Sequence, residues 1–166
     1  MRLSALLFLA AAAVAADPAL RIEGVAGRDG VAKPALQLTL ADIAGMPRTT
    51  LQGKTHDGKE HTFEGVAVPE LLHRAGLPQG EDVRGPMLAR YLLVSAHDGY
   101  RAVFSLPELD PAFTDNRALL ADKMDGQPLS THDGPLRLVM PSEKREARWV
   151  RMVERIEILA APDAVR

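Results

Sequence analysis

Short stretches of alternating apolar and polar residues recur along the chain, and most of them adjoin the same dipeptide. "YLLVSA" (Tyr91–Ala96) and "YRAVFS" (Tyr100–Ser105) flank Asp98-Gly99, and "ALLADKM" (Ala118–Met124) runs into Asp125-Gly126. Asp-Gly tolerates the positive φ angles of tight turns, so these stretches are predicted strands joined in hairpins. "PLRLVMP" (Pro135–Pro141) and "RWVRMVERIEI" (Arg148–Ile158) alternate in the same way and are predicted strands as well. In the last of these the even positions Val150, Met152, Ile156 and Ile158 form the apolar side. Trp149, Arg151, Val153, Arg155 and Glu157 share the other, which places the tryptophan on the charged face.

Two helices are marked by their ends. Thr39 and Asp42 form a short-armed capping box before "LADIAG", which Gly45 and Pro47 close. In "VPELLHRAGLP" Pro69 suits the first turn, Leu71, Leu72 and Ala75 make one apolar side, and Gly76 and Pro78 end it. Neither is long enough to hold without a sheet to lie on. Short helices interleaved with hairpin strands predict an α+β fold with a mixed or antiparallel sheet.

Met1 and Arg2 lead into the apolar run "LSALLFLAAAAVAA", which ends in small residues before Asp17 and Pro18. The run is shorter than the ~20 residues that span a bilayer, so residues 1–16 are expected to be a cleaved secretory signal peptide and 17–166 a single domain. Losing Arg2 with that segment leaves 19 of the 20 Lys and Arg against 22 Asp and Glu, a balance that argues against nucleic acid as a partner. The alanine-rich leader points to a soluble periplasmic protein. There is no cysteine, so an exported chain of this kind holds together by burial alone, without disulfides, thiolate metal ligands or a sulfur nucleophile.

Candidate chemistry is sparse. His56, His97 and His132 each open a His-Asp-Gly triplet, but their surroundings differ, so they are recurrent turns and not a repeat. A two-residue turn at Asp57-Gly58 sets His56 opposite Lys59 and His61 opposite Lys54, which discourages a metal there. No Gly-x-Ser-x-Gly elbow, Walker loop or Gly-x-Gly-x-x-Gly is present.

What remains is "PSEKREARWVRMVERIEI", where Lys144, Arg145, Arg148 and Arg151 surround the only tryptophan. Two accounts of it stand. In one, Trp149 is a core residue capped by arginine stems. In the other, a flat, anion-bearing heterocycle stacks on the indole while the cations hold its oxygens. Arg137 alternates with Leu136 and Leu138 and so points away from their buried side. The turn at Asp133-Gly134 brings His132 to the same rim.

The segment "DGQPLSTHDGPLRLVMPSEKREARWVRMVERIEI" resembles the end of the molybdopterin-binding domain of the sulfite oxidase family. That family reads Asn-Gly-x-Pro-Leu, then His-Gly-x-Pro-Leu-Arg, an apolar strand ending in Pro, and a basic loop with Lys-Trp. The same order stands here as Asp125-Gly126-Gln127-Pro128-Leu129, His132, Pro135-Leu136-Arg137, Pro141 and Arg148-Trp149. Upstream, "LTLADIAGMPRTTLQ", "FEGVAVPELLHRAG" and "DGYRAVFSLPEL" resemble further family segments, so the likeness runs from about Leu38 to Leu159.

The resemblance implies an α+β fold with a mixed, partly barrel-like sheet and a pterin-type cofactor. It implies pterin or phosphate contacts for His132, Arg137 and Arg148, with Lys144 in the same basic loop. Asp98 or Asp115 would accept from the amino-pyrimidine edge, and Trp149 or Tyr100 would stack. The family's enzymes bind molybdenum through a cysteine soon after the Leu-Gln pair; here Leu51-Gln52 leads to Gly53. Short, secreted, cysteine-free members resemble pterin-binding proteins that act beside a membrane receptor controlling cyclic di-GMP. A reduced pterin is therefore the expected ligand and a periplasmic receptor domain the expected partner. The second reading is a molybdenum cofactor-dependent oxidoreductase or a subunit of one, with molybdopterin as the cofactor.

Overall fold

The computed structural model describes residues 17–25 and 31–162, and the expected signal segment lies outside them. Ten strands form two five-stranded sheets. The first contains β1 (Leu20–Glu23), β2 (Leu36–Leu38), β5 (Arg90–Ala96), β6 (Arg101–Ser105) and β10 (Val153–Ala160), in the order β2-β1-β10-β5-β6. The second runs β3-β4-β7-β8, from β3 (Thr49–Lys54), β4 (Glu60–Ala67), β7 (Leu119–Met124) and β8 (Gln127–Pro128), with β9 (Arg137–Val139) also on β7. β1 runs parallel to β10 and the other pairings are antiparallel, so the α+β class and the mixed sheet hold. No closed barrel forms among the described strands; the sheets stay separate.

Both sheets contribute to one hydrophobic core. Leu20, Ile22, Leu92, Val94, Phe104, Ile156 and Ile158 from the first and Phe63, Val66, Leu119, Leu120 and Leu138 from the second are all at most 3% exposed. The hairpins read from Asp-Gly are present: Asp98-Gly99 joins β5 to β6 and Asp125-Gly126 joins β7 to β8, with φ positive at Gly99, Asp125 and Gly126.

The helices are α1 (Leu40–Ala44) and α2 (Val68–Arg74). Thr39 Oγ1 accepts from the Asp42 amide at 3.1 Å, and Asp42 Oδ2 accepts from the Thr39 amide at 2.8 Å, so the shortened capping box is made in full. In α2, Leu71 and Leu72 are buried. Gly76, at φ 90°, ends it in a Schellman motif, its amide donating to His73 O and that of Leu77 to Leu72 O.

Three strand assignments from the sequence are corrected. β9 is three residues long and buried on both faces, so Arg137 is 6% exposed instead of pointing outward. Trp149 is not on the last strand; it follows the 3-10 turn Glu146–Arg148, and β10 begins at Val153. A bulge between Val153 and Arg155, after Met152 at φ 49°, reverses the alternation. Val153 therefore faces the core together with Ile156 and Ile158.

The third correction is at the β3–β4 turn. The Thr55 amide donates to Lys59 O at 2.9 Å, closing a three-residue loop, so Gly53 pairs with His61 and Lys54 with Glu60. Asp57 favours this longer turn because its Oδ1 accepts from Thr55 Oγ1 at 2.6 Å and from the Lys59 amide at 3.2 Å. The hydrogen bond from Thr55, then that from Lys59, holds its carboxyl down at about 2.

The second sheet depends on one close approach. Gly65 lies at a bulge in β4, and a Cβ there would stand 2.0 Å from Leu120 O and 2.6 Å from Ala121 Cα on β7. Those atoms are backbone and cannot rotate away. Gly65→Ala is expected to lower stability by about 3 kcal/mol, read as a fall in the urea midpoint at unchanged slope.

Candidate functional site

Turns from both sheets meet around a cleft of about 360 Å³ lined by His56, Asp98, Tyr100, Arg137, Glu146, Ala147, Trp149 and Arg151. His56 comes from the β3–β4 turn, Asp98 and Tyr100 from the β5–β6 turn, and Arg137 from β9; the rest belong to the segment leading into β10. That segment stitches the sheets together. The Leu138 amide donates to Val150 O, that of Val153 to Leu136 O, that of Met152 to Asp133 O and that of His97 to Met152 O. The cleft is therefore held by backbone bonds on both sides.

Its wall is built on Arg137 and Trp149. The indole is 4% exposed, its Nε1 donates to Met140 O at 2.9 Å, and Phe63 meets it edge-on at 5.7 Å between centroids. The Arg137 guanidinium lies 5.6 Å from the indole centroid and 5.8 Å from that of Phe63. Its Nη1 donates to Asp133 at 3.4 Å and its Nη2 to Glu146 at 3.1 Å. Two carboxylates thus balance one buried cation, as a charge out of water requires.

The balance is incomplete at atomic level. Arg137 Nε and Glu146 Oε1 are both buried without a hydrogen-bond partner. Leaving such a donor or acceptor unmet costs about 1–3 kcal/mol each. Both atoms belong to residues that line the cleft, where water or a ligand's polar group can answer them.

Of the residues singled out from the sequence, Asp98, Tyr100, Arg137 and Trp149 line this cleft. His132 stands at its edge, accepting a hydrogen bond from the cleft residue Arg151. The others lie elsewhere. Lys144 lines a neighbouring groove with Lys54, Arg145 and Pro141, which shares His56 and Glu146 with the cleft. Arg148 turns to the far side, over the Phe104 ring at 4.3 Å and paired with Glu108 and with Glu143 at 3.2 Å. Asp115 lines two grooves next to Leu51.

Tyr100, 49% exposed, has an open ring face; its hydroxyl donates to Ala147 O. Trp149 is a wall of the cleft and also a core residue, so the two accounts of the cluster meet in one side chain. Sequence reasoning passed over Glu146, whose signal was a lone acid between Arg145 and Arg148. Nearby, His61 Nδ1 is 2.6 Å from Asp125, whose carboxyl is held below its ordinary range by that contact and by the Thr62 amide.

A molybdenum centre held by a protein thiolate does not fit these residues. Gly53, after Leu51-Gln52, is buried, and a Cβ there would stand 2.8 Å from Trp149 Cη2 and 3.2 Å from Phe63 Cε2. The indole occupies the space a ligating side chain would need. Among the described residues no three His, Asp or Glu side chains converge in its place. A flat heterocycle fits better, since the cleft falls in the ~300–1,000 Å³ range of small-molecule sites and offers cations, carboxylates and one open aromatic face.

The chain is similar in fold to the sulfane dehydrogenase SoxCD from Paracoccus pantotrophus, with a TM-score of 0.62 and 21% identity. The likeness covers 84% of this chain and 37% of that one, so this chain spans little more than a third of its length. No curated protein matches the sequence. Residues 16–165, nearly the whole chain, match the family described as the oxidoreductase molybdopterin binding domain. The cleft between a mixed and an antiparallel sheet, the fold likeness and that match agree: the chain belongs to the oxidoreductase molybdopterin binding domain family.

Proposed function

We propose that this chain is a pterin-binding protein that uses a molybdopterin-type cleft without a metal. A single observation carries the reading: the indole of Trp149 fills the space beside Gly53 where a thiolate ligand would stand, while the cleft next to it keeps polar atoms without partners. Loss of the metal position removes the family's redox chemistry but not its means of holding a ring. Arg137 would meet a ring carbonyl, a carboxylate the amino-pyrimidine edge, and Tyr100 the ring face. Asp98 or Asp115 was the carboxylate expected from the sequence; of the two, Asp98 lines the cleft.

We further propose that the protein works in the periplasm, delivered by residues 1–16 as a signal peptide. There it would regulate a membrane receptor that makes or degrades cyclic di-GMP. Its physical basis would be a receptor surface with different affinity for the loaded and empty protein, since a ligand shifts an equilibrium only by such a difference. The cleft is made from turns of both sheets, so a bound ring can alter the surface those turns present.

Protein purified from its native compartment and then denatured is expected to release pterin fluorescence into the supernatant, with molybdenum at blank level by elemental analysis. Molybdenum in proportion to pterin would instead support the oxidoreductase reading. Tyr100→Ala should weaken pterin binding by about 1–3 kcal/mol, the usual worth of an aromatic stacking partner, with little change in the thermal midpoint. Gly53→Cys should lower stability by about 1–3 kcal/mol through overpacking against Trp149, without acquiring molybdenum when the cofactor is supplied.

A further inference from the structure

We infer that Glu146 is the carboxylate that reads the ligand's pyrimidine edge, so that the cleft selects 2-amino-4-oxo rings over 2,4-diamino rings. The inference rests on the pterin-binding reading and goes beyond it by naming the recognising residue and the pattern it recognises.

Three carboxylates compete for the part. Asp98 is exposed, and its Oδ1 already accepts from the Tyr100 amide at 2.9 Å in the β5–β6 turn. Water satisfies what is left of it. Asp115 lines other grooves and not this cleft. Glu146 differs from both: its side chain is 17% exposed, Oε2 accepts from Arg137 Nη2 at 3.1 Å, and Oε1 is buried with no partner. Beside it, Arg137 Nε is a buried N–H without an acceptor. One wall of the cleft therefore holds an unsatisfied anionic acceptor and an unsatisfied cationic donor in two side chains that already touch.

A 2-amino-4-oxo pyrimidine ring carries the complement on one edge: an exocyclic N–H and a ring N–H next to each other, then a carbonyl oxygen. The two N–H groups suit a carboxylate, and the carbonyl suits the adjoining guanidinium. Replacing the 4-oxo group by an amine turns that acceptor into a donor facing Arg137 and removes the hydrogen from the neighbouring ring nitrogen. The mismatch leaves buried groups unpaired, and a site built for hydrogen bonds discriminates most strongly in that way.

Access requires only a small motion. Glu146 opens the 3-10 turn Glu146–Arg148, and rotation about its terminal torsion, which is soft, carries both oxygens together, so that one faces the cleft while the Arg137 guanidinium bonds whichever oxygen is presented to it. His56 Nδ1, 3.8 Å from Oε2, belongs to a side chain 87% exposed and can swing aside.

The test is calorimetric titration of the full mature chain with pterin and with 2,4-diaminopteridine near neutral pH, where both rings are mainly uncharged and the pterin keeps its ring N–H. Wild type is expected to bind pterin about tenfold or more tightly than the diamino ring. Glu146→Gln, which can still bond Arg137, should lose about tenfold or more in pterin affinity and most of the preference, and Glu146→Asp should recover part of both. Equal wild-type affinity for the two rings overturns the inference without any variant, which covers the case in which Glu146→Gln fails to fold. Pterin binding that is unchanged in a folded Glu146→Gln protein also overturns it, and leaves the pterin-binding reading intact. Failure of wild type to bind either ring sinks both.

Discussion

Arg137 carries the site and much of the fold around it. A guanidinium at 6% exposure is tolerable only with its charge answered nearby, and Asp133 and Glu146 answer it from two different loops. The faces of Trp149 and Phe63 add cation–π attraction, worth up to about 2 kcal/mol for a desolvated pair. Five segments are fixed by these contacts: β4 through Phe63, the turn before Leu136, β9 itself, the 3-10 turn at Glu146 and the crossing residue Trp149. The cleft is what remains uncovered when those groups have found one another.

Trp149 ties the interior to the ligand site. It fills core volume, donates to Met140 O, and closes the space over Gly53, so its size is constrained from three sides. A thiolate-bearing relative needs that space for a sulfur atom. Here the indole lies against Gly53 and packs edge-on against Phe63, so close packing holds that wall of the cleft.

The local features were the most legible in the sequence. The capping box at Thr39, the Schellman ending at Gly76 and the hairpins at Asp98-Gly99 and Asp125-Gly126 are short-range chemistry, decided within a few residues. The missed parts depend on distant partners. Arg137 alternates with leucines and so read as an outward residue; it is inside because Asp133, Glu146 and two aromatic rings surround it. The last strand read as one continuous alternation because a bulge leaves no mark in composition, and only the positive φ at Met152 and the shifted pairing at Val153 reveal it. At the β3–β4 turn, the side chain of Asp57 selected a longer loop than Asp-Gly alone suggested. Glu146 was hidden by its neighbours, since an acid among four cations reads as a counterion until its unmet oxygen is seen.

The order of strands in the first sheet, β2-β1-β10-β5-β6, places the latest of the described elements at its centre. Neither half of that sheet can dock on the other before β10 is made, whereas the strands of the second sheet all precede it and can pair without it. Closure of the first sheet is therefore the late event, and it waits on the one strand that joins its two halves.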